Sequence, residues 1–235
     1  MRPYSLGSHV RWCRTEDGIV LLDLKTGRYL GISVSDSRHI APHVNDWSTE
    51  YSDTHIEPPK ADEGALGALL KAGVLCPAPD HVQPVELKLS AAETTIPFED
   101  VLDVPRVRAL DVVRLLRAFL RIRFALKQQS IQRIVSRLND RKQRAVADRS
   151  IAAAECIRLA KVYLHIRPLV LTARDRCLID SLVLVEFLSA YGMFPSWVIG
   201  VRTQPFGAHS WVQEGAVVLN DTPEKVLSFT PILAV

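Results

Sequence analysis

Apolar and polar positions change rhythm several times along the chain, and each rhythm predicts a different element. Residues 9–32, HVRWCRTEDGIVLLDLKTGRYLGI, form three short aliphatic-rich runs separated by Glu16-Asp17-Gly18 and Lys25-Thr26-Gly27. Such punctuation predicts a three-stranded β-meander. Helical spacing follows, with Ser35 or Asp36 as the cap of a helix over 36–46. A second helix is predicted from Ala61 to Ala72, with Leu66, Leu69 and Leu70 on its apolar side and Gly73 as its stop. Residues 76–105 contain Pro77, Pro79, Pro84, Pro97 and Pro105 and no sustained period, the pattern of a linker or extended strap. In RVRALDVVRLLRAFLRIRFALKQQ, apolar Val107, Leu110, Val113, Leu116, Leu120 and Phe124 recur at three- and four-residue steps, with Arg114, Arg117, Arg121 and Lys127 between them. That spacing predicts an amphipathic helix whose apolar stripe faces a core and whose charged face is solvated.

The last quarter combines both periods. TARDRCLIDSLVLVEFLSAYG offers Thr172 or Asp175 as a cap, Leu178, Leu182, Val185 and Leu188 at helical spacing, and Gly192 as a terminator. GAHSWVQEGAVVLND then alternates, so His209, Trp211 and Gln213 share one face of a strand. Runs of strands followed by runs of helices make this an α+β chain. Residues 1–80 form one module of three strands plus helices, like a winged helix; 81–105 form a linker; 106–235 form a second domain opening on basic helices.

Composition narrows the function. A chain of 235 residues, 48% hydrophobic, is long enough for two small cores. No apolar stretch reaches the 18 or more residues of a membrane span, and MRPYSLGSHVRW lacks the apolar centre of a signal peptide, which predicts a cytoplasmic protein. Residues 1–105 carry 9 Lys and Arg against 16 Asp and Glu, whereas 106–144 carry 12 against 2. A basic helix of this kind suits a solvated face or a dock for an acidic protein. Nucleic-acid binding by the first module is disfavoured, because its candidate recognition helix, ADEGALGALLKAG, sets Asp62 and Glu63 against Lys71. No Gly-rich loop is followed by Lys-Ser/Thr, so ATP binding is not indicated. The histidines lack metal-ligand spacing, so neither a metal nor another cofactor is expected.

The candidate chemistry is a thiol, an imidazole and a carboxylate or amide. Cys177 lies in the first turn of its helix, where unpaired N–H groups and the macrodipole favour a thiolate. His209 on the strand is placed to act as general base, and Asp221 or Asn220 to hold its tautomer. Cys13, Cys76 and Cys156 lack such company and read as structural thiols.

RCLIDSLVLVEFLSAYG and SWVIGVRTQPFGAHSWVQEGAVVLND resemble the papain-related, transglutaminase-like leader peptidases of lasso-peptide biosynthesis, over roughly residues 150–235. The 32 residues from Cys177 to His209 and the 12 from His209 to Asp221 fit that family. The resemblance implies Cys177 as nucleophile, His209 as base and Asp221 as orienting residue. It departs from the family at Asp180, where a basic residue is common, and at Ser210 and Gln213. GIVLLDLKTGRYLGI and LLKAGVL resemble the precursor-peptide recognition element fused to such enzymes. That resemblance implies leader binding as an added strand near Arg28, Tyr29, Leu30 and Gly31, with pockets against Leu66, Leu69 and Leu70. It also implies a precursor peptide as substrate and an asparagine-synthetase-like macrolactam synthetase as partner. A transglutaminase-like acyltransferase and a non-catalytic peptide chaperone are the alternatives.

Strand register bears on the choice between Asp221 and Asn220. A two-residue turn at Glu214-Gly215 places Asn220 opposite His209, while a three-residue loop centred on Gly215 brings Asp221 there. Asp221 is the expected partner, because a carboxylate stabilises an imidazolium better than an amide does.

Overall fold

The computed structural model describes residues 4–47, 64–77, 87, 89–96, 106–144, 149–171 and 177–235. The chain divides into two compact units, 1–87 and 88–235. In the first, the elements are β1 (Tyr4–Leu6), β2 (Val10–Thr15), β3 (Gly18–Asp23), β4 (Arg28–Ser33), α1 (Val34–Ile40), a 3₁₀ turn at Ala41–His43, α2 (Gly64–Lys71) and β5 (Leu75–Pro77). The meander forms as the punctuation predicts, in the order β2-β3-β4, and β1 pairs antiparallel with β5. Thr15 pairs with Gly18 across the first turn. Gly18 holds φ +134°, and a Cβ there would stand 2.1 Å from the Ile32 carbonyl oxygen, so only glycine fits. At the second turn the Asp23 carboxylate accepts from the Lys25 N–H at 2.8 Å and from the Thr26 hydroxyl at 2.7 Å.

All six residues of β3 are buried, as befits the middle strand, and Leu21, Ile32, Val44, Trp47, Leu66 and Val74 belong to the core. The first helix differs from expectation. Its cap is Ser33, whose hydroxyl accepts from the Asp36 N–H at 3.1 Å, and it ends at Ile40, where Pro42 enters the following 3₁₀ turn. The residues at 61–63, where the second helix was expected to begin, lie outside the described residues.

The second unit contains β6 (Thr94–Thr95), α3 (Ala109–Gln128), α4 (Ile131–Arg144), α5 (Arg149–Ile166), a 3₁₀ turn at Arg167–Leu169, α6 (Cys177–Ser189), β7 (Ser196–Thr203), β8 (Phe206–Glu214), β9 (Val217–Val218), α7 (Pro223–Val226) and β10 (Thr230–Ala234). Its five-stranded sheet runs β10-β7-β8-β9-β6, antiparallel except for the β9–β6 edge. Part of the expected linker therefore belongs to this unit. Thr95 Oγ1 donates to the Val218 and Asp221 carbonyls at 3.1 and 2.7 Å, and Gln213 Nε2 donates to the Ser90 carbonyl at 2.8 Å. A two-residue edge strand is too short to leave a period in the sequence. At Gly200 of β7, a Cβ would meet Trp211 and Phe229 at 2.9 Å, so the bare backbone makes room for the ring of the neighbouring strand.

Helix α6 packs against α3, α5 and β8. Leu182, Val183, Leu184, Val185, Phe187 and Leu188 are each no more than 3% exposed, which means the helix is buried all round rather than along one stripe. Its one acid in the middle, Glu186, is buried and is held by Arg121 and, at 2.6 Å, by Arg141.

Helix α3 inverts its expected orientation. Leu110, Val113, Leu116, Leu120 and Phe124 are exposed, and the buried residues are Asp111, Leu115, Ala118, Ile122 and Ala125. Ala118 and Ala125 present little side chain, which permits close approach to α6. Asp111 is buried because its carboxylate accepts from the Arg108 N–H at 2.8 Å, closing the first turn, and takes the Tyr191 hydroxyl. Among the described residues no helix is long and apolar enough to cross a membrane.

Candidate active site

Three elements bring the site together. Cys177 is the first residue of α6, His209 lies in β8, and Asp221 follows β9 just before α7. Both cap candidates, Thr172 and Asp175, lie outside the described residues. β8 packs on α6, which brings its residues beside the helix. Ser210 next door anchors that approach: its hydroxyl hydrogen-bonds Ser181 at 2.6 Å and accepts from Trp197 Nε1 at 2.7 Å, while Ser181 Oγ donates to the Cys177 carbonyl at 2.7 Å.

His209 is 7% exposed, with Trp211 stacked at 6.1 Å and Phe229 at 5.2 Å between ring centres. Its Nε2 lies 2.6 Å from Asp221 Oδ2. With Nε2 engaged as donor to the carboxylate, Nδ1 is the nitrogen left to exchange a proton with the thiol, and a hydrogen bond joins the His209 and Cys177 side chains. The same Asp221 oxygen also takes Lys225 Nζ at 2.8 Å, and Oδ1 takes the Thr222 N–H at 3.0 Å.

Electrostatics follow this geometry. The hydrogen bond from His209 lowers the Cys177 pKa below the ordinary thiol value; burial opposes it, and the Ser210 and Leu178 N–H groups add to the lowering. Burial pushes the His209 pKa down, but its bonds to Asp221 and Cys177 outweigh that and raise it. Burial pushes Asp221 up, yet His209, Lys225 and the Thr222 N–H hold it down at about 2. The other cysteines contrast with this. Burial pushes Cys13 and Cys156 up to about 12, and Cys76 donates to the Ser5 carbonyl at 3.4 Å. Only at Cys177 does the environment favour a thiolate with an imidazolium beside it.

The register behind this arrangement is neither of the two anticipated. Glu214 pairs with Val217 and Gln213 with Val218, so the two loop residues are Gly215, at φ +57°, and Ala216. Alternation then ends, because the chain bends after Val218. Within that bend Asn220 turns away from the imidazole: its Oδ1 accepts from the Val212 N–H at 2.9 Å and its Nδ2 donates to Asp180 Oδ2 at 3.0 Å. Asp180 in turn accepts from Tyr163 Oη at 2.8 Å and from Arg167 at 3.2 Å. The acid that departs from the expected basic residue therefore ties α6, α5 and the loop bearing Asp221 together. Sequence reasoning missed Lys225, although its four-residue spacing from Asp221 at the start of a Pro-initiated turn was a usable signal.

A model of the transglutaminase-like superfamily matches residues 114–234. This chain belongs to that superfamily. The matched stretch runs from α3 to the last strand and contains the whole Cys177–His209–Asp221 cluster. A curated relative, the microcin J25-processing protein McjB of Escherichia coli, is 49% identical over 50 residues, 21% of this chain and 24% of that protein. The chain thus matches about a quarter of that relative's length. No solved structure matches.

In the other unit, Arg28, Tyr29, Leu30 and Gly31 of this transglutaminase-like chain lie on β4, which pairs with β3 along one side and is the edge of its sheet. Arg28 and Gly31 are exposed, and Tyr29 and Leu30 are half-buried. Of the expected pocket residues, Leu66 and Leu69 are 1% and 6% exposed and belong to the core of this unit. Leu70 and Leu30 pack at the margin of that core and keep exposed surface.

Proposed function

We propose that this chain is a cysteine peptidase that removes the leader from a lasso-peptide precursor. The observation that carries the reading is His209, whose imidazole is hydrogen-bonded both to the Cys177 thiol and, through Nε2, to the Asp221 carboxylate. In this mechanism the Cys177 thiolate adds to the scissile carbonyl, and His209 imidazolium gives its proton to the leaving amine as the C–N bond breaks. The resulting thioester is cleaved by water, with His209 taking the water's proton and Asp221 stabilising the imidazolium again. The Leu178 and Ser210 N–H groups, already directed at the sulfur, support the thiolate.

The short similarity to a microcin-processing protein supports a ribosomally made precursor peptide as substrate. The leader would add as a strand along β4 at Arg28–Gly31, where the edge backbone supplies hydrogen bonds and Leu30 and Leu70 offer apolar contact. The freed core peptide would pass to an asparagine-synthetase-like macrolactam synthetase. A reducing cytoplasm suits the free thiol.

The test is incubation of the purified chain with precursor peptides encoded beside it, followed by mass analysis. Two fragments that meet at one bond are expected from wild type, and Cys177→Ala is expected to lose on the order of a thousandfold or more in rate while still binding leader. Wild-type turnover by Cys177→Ala would refute the peptidase reading. An adduct with an added amine in place of fragments would assign acyl transfer.

A further inference from the structure

Helix α3 carries two apolar stripes, of which the fold uses one. Taking 100° per residue, the buried Asp111, Leu115, Ala118, Ile122 and Ala125 centre on one side, and Leu110, Val113, Leu116, Leu120 and Phe124 centre almost opposite. The five outer side chains are between 44% and 64% exposed and cover about 21 Å of helix length. Contiguous apolar surface of this kind marks an interaction site more often than scattered exposed leucines do. Beside it, Leu110, Val113, Ala118 and Ala190 share with Arg114, Arg117, Arg121 and Glu186 the lining of a shallow groove of about 240 Å³ between α3 and the end of α6.

The cations of this face are not equivalent. Arg121 is neutralised by Glu186, and Arg114 stacks over the Tyr191 ring at 4.0 Å. Arg117 lies within the apolar stripe, between Leu110 and Phe124 on the wheel, and has no ion pair among the described residues; Lys127 extends the stripe in the same way. Whatever covers the stripe must also satisfy a desolvated guanidinium, and a carboxylate does so with two parallel hydrogen bonds.

We propose that this face of α3 docks an acidic amphipathic helix of a partner protein, with its apolar side chains on the Leu110–Phe124 stripe and a carboxylate on Arg117. A second copy of this chain fits poorly, since its own stripe presents the same cations. A bilayer would meet Arg117 and Lys127 with mobile lipid headgroups instead of a fixed carboxylate, and the vesicle measurement below separates the two. The inference is independent of the chemistry at Cys177.

The test uses the full chain and a fluorescein-labelled helical peptide of 18 residues, with Leu at three- and four-residue spacing and Glu on the flanks. A second peptide with Lys in place of Glu is the control. Saturable anisotropy is expected with the Glu peptide and not with the Lys peptide. Arg117→Glu is expected to weaken binding on the order of tenfold, and the double change Leu120→Ser, Phe124→Ser on the order of a hundredfold. These positions are exposed, so the circular dichroism spectrum and the alkylation rate of Cys177 should stay as in wild type. The proposal is overturned if the Glu peptide fails to bind, or if it binds both variants as tightly as wild type. It is equally overturned if wild type alone co-sediments with phosphatidylcholine–phosphatidylserine vesicles. Self-association abolished by Leu120→Ser, Phe124→Ser would assign the face to a second copy instead.

Discussion

Replacing Asp221 by Ala should cost activity chiefly through His209. The lost contact is a charge-assisted bond of 2.6 Å from His209 Nε2 to a carboxylate whose side chain is 15% exposed. Bonds of that class contribute about 1.5–3 kcal/mol, and Lys225 on the same oxygen already offsets part of the carboxylate's charge. Each 1.36 kcal/mol is a factor of about ten in rate, so kcat should fall roughly ten- to one-hundred-and-fifty-fold. The same substitution withdraws what raises the His209 pKa. The imidazolium is then lost at lower pH, and the Cys177 thiolate it sustains becomes scarcer near neutrality. Two assays read this: single-turnover cleavage of the precursor, and the pH dependence of Cys177 alkylation by iodoacetamide. The latter needs no substrate, and its inflection should move up toward the ordinary thiol range. Asn220→Ala is the control, because Asn220 bonds to Val212 and Asp180 and does not touch the imidazole. Its kcat should stay within a few-fold. An Asp221→Ala enzyme within threefold of wild type, beside an Asn220→Ala enzyme more than tenfold slower, refutes the reasoning.

Lys225→Met removes an ammonium that lowers the His209 pKa, so the imidazolium should persist to higher pH and the alkaline limb of activity should move upward; a limb that stays or moves down contradicts the role given to Lys225. Removing both Arg121 and Arg141 as Ala strands the Glu186 carboxylate, 5% exposed, inside the helical layer, and urea unfolding should report a loss of about 3–5 kcal/mol. Glu186→Gln should cost distinctly less, because its amide needs no counter-charge. In the meander, Gly18→Ala forces a Cβ against the Ile32 carbonyl at φ +134° and should lower the thermal midpoint by several degrees, whereas Gly31→Ala meets nothing within 4 Å and should leave it nearly unchanged. Equal midpoints for the two glycine variants would contradict the strain assigned to Gly18.

Sequence by itself determined the features that depend on near neighbours. The turns at Gly18 and Gly27, the strands between them, and the helix that carries Cys177 near its start follow from local torsion and from apolar periodicity. Cys177 and His209 were legible as a candidate pair from their local settings, while the choice of Asp221 over Asn220 leaned on the spacing of the family the chain resembles. Only the tertiary structure decided which of two apolar stripes on α3 turns inward. Both have helical period, and the inward one carries Leu115, Ala118, Ile122 and Ala125 while Leu120 and Phe124 stay exposed. Tertiary contacts likewise decided the fate of the buried acids: Asp180 and Glu186 find their partners 13 to 65 residues away, which no local pattern encodes. The link between His209 and Asp221 also needed three dimensions. A strand register carries alternation only as long as the ladder lasts, and here it ends at Val218, so a bend held by Asn220 and Asp180 delivers the carboxylate to the imidazole.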